Sequence, residues 1–131
     1  MHLLYNTPFI QISFDHLENW LYANWRGPQN FDSVLQGGQA MLQLLQQERC
    51  HKVLNDNRLV TSIWSEAAQE GGQEWFPQMA AAGLQYFAWV YSPNAYSRLS
   101  TDLTLQYTPE TGPIIATFDN IDTARNWLRN V

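Results

Sequence analysis

The sequence predicts an α/β domain: a mixed five-stranded sheet packed by about four helices, in the order ββαβαβαβα. Three observations carry this. Residues 9–14 and 20–25 each alternate apolar and polar side chains with the two-residue period of a half-buried strand. Phe31–Glu48 places Val34, Leu35, Gly38, Met41, Leu42 and Leu45 on one helical stripe. Residues 84–91, LQYFAWVY, form a nearly unbroken apolar run, as in a strand covered on both faces.

Each element has a local reason. The first two strands are linked by the polar stretch 15–19 and read as an antiparallel hairpin closed by Gly27-Pro28. Asp32 or Ser33 is expected to cap the first helix, whose outer face carries Gln36, Gln39, Gln43, Gln46 and Gln47. Gly37 and Gly38 lower its intrinsic propensity and predict a close approach to the sheet. A second helical pattern begins near Trp64, Ala67 and Ala68, with a break expected at Gly71-Gly72 and a stop at Gly83. Ser92-Pro93 is expected to start a third helix, with Tyr96, Leu99 and Leu103 inward. A short strand at Ile114–Phe118 precedes a last helix capped by Asp119 or Asn120, with Ile121, Ala124, Trp127, Leu128 and Val131 on one stripe.

Composition narrows the function. A chain of 131 residues, 45% hydrophobic and 14% aromatic, is sized for one packed domain. Twelve acidic against seven basic residues give a formal charge of −5, and Lys52 is the sole lysine. Nucleic acid and anionic membrane surfaces both call for a basic patch, so neither is expected as a partner. Cys50 stands alone, which excludes an internal disulfide. The start, MHLLYNTPF, lacks the pattern of a signal peptide, and no stretch is long and apolar enough for a membrane span, so a cytoplasmic location is expected.

The segment 52–68, KVLNDNRLVTSIWSEAA, reads as the pivot of the chain. Val53 and Leu54 lead into a turn-prone corner, Asn55-Asp56-Asn57, and a helix is expected to open behind Ser62 or Ser65. A strand end facing a helix start is a common location for sites in α/β domains. Asp56, Arg58, Thr61, Ser62 and Trp64 are therefore the candidate binding residues. Trp64 and Trp75 are spaced to share an apolar face beside that corner, and a bend at Gly71-Gly72 would open it into a groove.

No catalytic set accompanies them. A phosphoacceptor role for Asp56 would require an acidic pair after the first strand and a lysine after the last, and both are missing. Asp56 reads instead as a residue bonding its own backbone turn. Cys50 and His51 are adjacent, which does not aim one at the other, and Cys50 reads as a buried thiol. His2, His16 and His51 lack metal-ligand spacing, and no glycine pair follows a strand as in a phosphate loop. Neither a cofactor nor a metal is expected.

Four stretches resemble a known family: YANWRG before the first helix, VLNDN before the second, FPQMAAAGLQYFAWVYS, and the closing FDNIDTARNWL. They are similar to the SpoIIAA/STAS-like superfamily, the anti-sigma-factor-antagonist fold related to Sec14-type domains, over nearly the whole chain. The resemblance implies a bacterial, non-enzymatic regulatory or protein-interaction module. Its alternative is a carrier or sensor of a small apolar ligand, favoured by the Sec14 relation and the aromatic second half. The phosphorylated members carry an aspartate-serine-serine-glycine-like motif where this chain reads NDNRLVTS, so no phosphorylation site is carried over. A protein partner, a small ligand and homo-oligomerisation all remain open at this point.

Overall fold

The computed structural model describes Met1–Val131. Six strands form one sheet in chain order: β1 (His2–Asn6), β2 (Ile10–Asp15), β3 (Trp20–Gly27), β4 (Lys52–Val60), β5 (Tyr86–Val90) and β6 (Ile114–Phe118). The first three are antiparallel neighbours, while β3 through β6 run parallel. The sixth strand is β1, which pairs with β2 through an irregular register between Leu3 and Tyr5. Its exposed, weakly alternating residues carry little of the period that reveals β2 and β3. The expected five strands are thus corrected to six.

The helices are α1 (Phe31–Glu48), α2 (residues 65–81), α3 (Ala95–Tyr107) and α4 (Ile121–Arg129). Each parallel step moves one place across the sheet in the same direction, and crossovers of one hand therefore stack α1, α2 and α3 on a single face. Their core joins Ile10, Ile12, Leu21, Ala23, Trp25, Val53, Phe87 and Trp89 of the sheet to Met41, Leu45, Phe76 and Met79 of the helices. Only α4 crosses to the opposite face, where Ala124 and Leu128 meet Trp20, Leu54, Ala88 and Val90. Because α4 lies mainly over β4, β5 and β6, it reaches only the Trp20 end of β3 on that face.

Several local expectations are met. Val53 pairs with Phe87 and Leu54 with Ala88, making β4 and β5 neighbouring interior strands. Gly37 lies directly against the Trp25 ring, and Gly38 admits the indole of Trp75, which donates to the Gly38 carbonyl at 2.8 Å. Gly83 occupies the position after the α2 cap with φ +111°.

Others are corrected. Asn30, not Asp32 or Ser33, caps α1, with Ser33 returning the bond in a capping box. Asn94, not Ser92, caps α3, and Ser92 instead donates to the Val60 carbonyl at 2.6 Å. Helix α3 turns Ser97, Ser100, Thr101 and Thr104 inward and leaves Tyr96 and Leu99 exposed. The Ser97 and Ser100 hydroxyls satisfy buried groups, accepting from the Trp64 indole and the Trp64 amide. The expected break at Gly71-Gly72 is a change of pitch: α2 passes from a 3₁₀ turn (Ser65–Ala67) through Ala68–Glu70 into a π turn (Gly71–Trp75) and on to Phe76–Ala81. No helix is long and apolar enough to cross a membrane.

Candidate functional site

The expected polar corner at Asn55–Asn57 is not a turn. It lies inside β4, whose residues Val53 to Asn57 are all buried. Asn24 pairs with Asp56, and Arg26 with Leu59, so β4 advances three residues while β3 advances two. This is a β-bulge, a device frequent beside active sites because it re-aims side chains.

The bulge separates the candidate residues. Asp56 and Arg58 project to the face that α4 only partly covers. There the Asp56 carboxylate, 1% exposed, takes a forked bond from Arg58, with Nε at 3.0 Å and Nη2 at 2.9 Å. The Arg58 amide adds a bond at 3.0 Å, and the Tyr22 hydroxyl donates at 2.6 Å. Burial opposes ionisation of Asp56, but these donors outweigh it and hold the carboxyl below its usual value. Burial, then the bond to Asp56, pushes the Tyr22 phenol up to about 12. Every acceptor position of Asp56 is thus occupied by the protein itself, and the cluster is a closed structural unit.

Thr61 and Ser62 lie just beyond β4. Thr61 is exposed, and its backbone is tied to Gly27 and Asn94. The Ser62 hydroxyl accepts from the Gln29 amide at 2.8 Å and donates back to the Gln29 carbonyl, bracing the loop before α1. Neither Ser62 nor Ser65 caps α2. Trp64 precedes the helix with no side-chain cap, and its own amide donates to Ser100. The helix start is therefore closed by α3 and offers no anion site.

Trp64 alone of the five candidates turns to the helix-covered face, and there it borders a cavity of about 70 Å³. The wall holds the indoles of Trp25, Trp64, Trp75 and Trp89 with Phe76 and Phe87. Trp64 and Trp89 lie nearly parallel, with centroids 6.1 Å apart and planes at 21°. Gly38 and Gly71 contribute backbone in place of side chains, and the π turn of α2 forms part of the wall. Such turns occur often at functional sites. The expected pairing of Trp64 with Trp75 beside a groove thus appears as two walls of one partly open cavity.

Polar atoms in this wall are few and ordered. The Trp25 indole donates to Asn55 Oδ1 at 2.9 Å, and Asn55 Nδ2 donates to Asn57 Oδ1 at 3.2 Å. Trp64 donates to Ser97 and Trp75 to Gly38, whereas the buried Trp89 Nε1 has no partner. No charged residue lines the cavity, and no cluster of three or more His, Cys, Asp or Glu is arranged to hold a metal. Asn55, Asn57, Trp25 and Gly38 escaped the sequence reading because Asn-Asp-Asn is turn chemistry by composition. The signal that was present is the spacing of the two asparagines, two apart and so on one face of a strand.

No family model matches the chain, and no curated protein matches it. Among solved structures it is similar to an uncharacterized protein of the DUF3478 family with a SpoIIAA-like fold from Shewanella loihica PV-4. The two share 17% identity over 95% of this chain and 98% of that one, with a TM-score of 0.54. The fold is SpoIIAA-like, as the four sequence stretches imply, and at that identity the likeness extends to fold alone.

Proposed function

We propose that this protein is a non-enzymatic, cytoplasmic binding module, and that its ligand is a small apolar molecule held in the aromatic cavity. The observation that carries this reading is the cavity itself. Protein interiors are packed to the density of organic crystals, and voids larger than a water are few. Here six aromatic rings surround about 70 Å³, although flexible side chains such as Met41 are at hand to fill it. That volume is roughly half that of a cavity of about 150 Å³ that binds benzene, so about three heavy atoms sit within it and a five-membered ring reaches from it into the open side. The charged cluster at Asp56 has no vacant bonding position, which favours the cavity over that face.

The test is saturable binding of cyclopentane, read in the indole N–H resonances of ¹⁵N-labelled protein. Ala67 lines the cavity and is buried, so Ala67→Leu fills it with a side chain that suits a helix. Binding is expected in the parent protein and absent in Ala67→Leu at unchanged fold. A parent protein whose indole resonances do not move with cyclopentane refutes the reading.

A second reading, association with a protein partner, is favoured by one observation. Tyr96, Leu99 and Leu103 fall at helical spacing on the outer side of α3, and Tyr96 and Leu99 are exposed. Under that reading Leu99→Arg abolishes association and leaves cyclopentane binding intact.

A further inference from the structure

The donors and acceptors in the cavity wall have a fixed direction. An indole N–H can only donate, so the bond from Trp25 obliges Asn55 to present its oxygen there. The Asn55 nitrogen then points along the strand face and donates to the Asn57 oxygen. Asn57 is buried, lines the cavity, and is left with its amide nitrogen as the end of this relay. That nitrogen makes no bond of its own within the protein. On the neighbouring strand Trp89 is in register with Asn55, two residues before Asn57, and carries the only indole N–H of the four without an acceptor. The Gln29 amide is engaged at both ends: Nε2 donates to two backbone carbonyls and its oxygen accepts from Ser33. The cavity wall therefore holds side-chain donors with no partner, while each of its amide oxygens already accepts a bond, in surroundings without a formal charge.

We infer that the cavity selects a neutral molecule bearing a carbonyl-type oxygen on a small apolar body, with Asn57 as the residue that sets this preference. The inference rests on the cavity being a ligand site. A ligand ammonium finds no carboxylate to pair with and only an amide oxygen at Asn57 that already accepts from Asn55, and an ionised carboxylate finds no cation. A neutral carbonyl satisfies the Asn57 nitrogen at the cost of one desolvated oxygen. Trp89 lines the same wall and is paired with Asn55, so its unpartnered N–H reports on a carbonyl oxygen placed beside Asn57.

The test compares cyclopentanone with cyclopentane, two rings of nearly equal size, in the parent protein and in Asn57→Leu. Leucine matches asparagine in shape and removes the donor. Removing one hydrogen bond to a neutral acceptor should weaken cyclopentanone about tenfold and leave cyclopentane within about twofold. In the parent protein cyclopentanone should also move the Trp89 indole N–H resonance further than cyclopentane does. Equal effects of Asn57→Leu on the two probes overturn the assignment to a carbonyl and leave the cavity reading standing. Binding of neither probe to the parent protein overturns both. If Asn57→Leu does not fold, the parent protein decides: a Trp89 resonance moved equally by both probes overturns the inference.

Discussion

Asp56→Asn is the substitution that best separates structure from function here. The carboxylate is 1% exposed and takes bonds from Arg58 and Tyr22 in addition to the Arg58 amide. Asparagine keeps one acceptor oxygen but turns an NH₂ group toward a guanidinium or a phenol hydroxyl. Breaking a fully buried pair costs about 3–5 kcal/mol. Arg58 is 45% exposed, so water recovers part of its interaction and the cost should fall to about 2 kcal/mol at pH 7. The folded-state value of Asp56 is lowered, so its contribution is fully present above the unfolded carboxyl value, about 4, and is lost as pH falls through the folded value. Urea titrations followed by tryptophan fluorescence should therefore show a gap between parent and variant that is constant from pH 7 to 5 and narrows as pH falls below about 4. A gap below about 0.5 kcal/mol at pH 7, or one that persists unchanged in acid, would refute the account. Cyclopentane binding should be the same in both proteins, because Asp56 faces away from the cavity.

Two further outcomes follow from the packing. Trp89→Ala should destabilise by about 3 kcal/mol, the lower end for a large buried aromatic, because the site already borders a void and the change also removes an unpaired N–H; a loss under 1 kcal/mol in a denaturant titration would place Trp89 at the surface. Gly72→Ala and Gly71→Ala should diverge, although both improve helix propensity. A Cβ at Gly72 meets the Thr104 carbonyl oxygen and the Tyr107 Cβ at 2.6 Å, which predicts a loss of about 1–3 kcal/mol, while at Gly71 it meets only a Thr104 methyl at 3.3 Å and should be nearly neutral. Equal melting temperatures for the two variants would remove the close approach of α2 and α3 as an explanation.

What the sequence revealed and what it hid follow from the range of each interaction. Apolar patterning located β2, β3, α1, β5 and α4, because each buries one face or two and its pattern records that directly. Asn120 was legible as a cap since its bonds to Asp122 and Thr123 are local. Asn30 was not chosen, because Asp32 and Ser33 are equally good caps by type and only geometry ranks them. The inward face of α3 was misread for a different reason. Its buried hydroxyls are useful only because Trp64, from another element, needs acceptors. The same holds for the cavity: Trp64 stood out in the sequence, but the residues that share its wall, Trp25, Asn57 and Trp89, lie on three strands and meet only through the sheet.

The extra residue in β4 accounts for the shape of the cavity and for the charged cluster together. In a regular strand Asn57 and Val60 would point to opposite faces, since three residues separate them. The bulge opposite Trp25 changes the parity, so that Arg26 pairs with Leu59 and Gly27 with Val60. Leu59 then faces outward, 53% exposed, and Val60 is buried in the cavity wall with Asn57. The same irregularity frees Arg58 to fold back on Asp56, two residues earlier, where a regular strand would hold its side chain about 7 Å along the axis. The exposed leucine is therefore a consequence of bringing Asn57 and Val60 to one face. The closed ion pair lies on the other side of the bulged segment. The charged groups that first draw attention thus serve one face of the strand, and the neutral asparagines between and beside them line the cavity on the other.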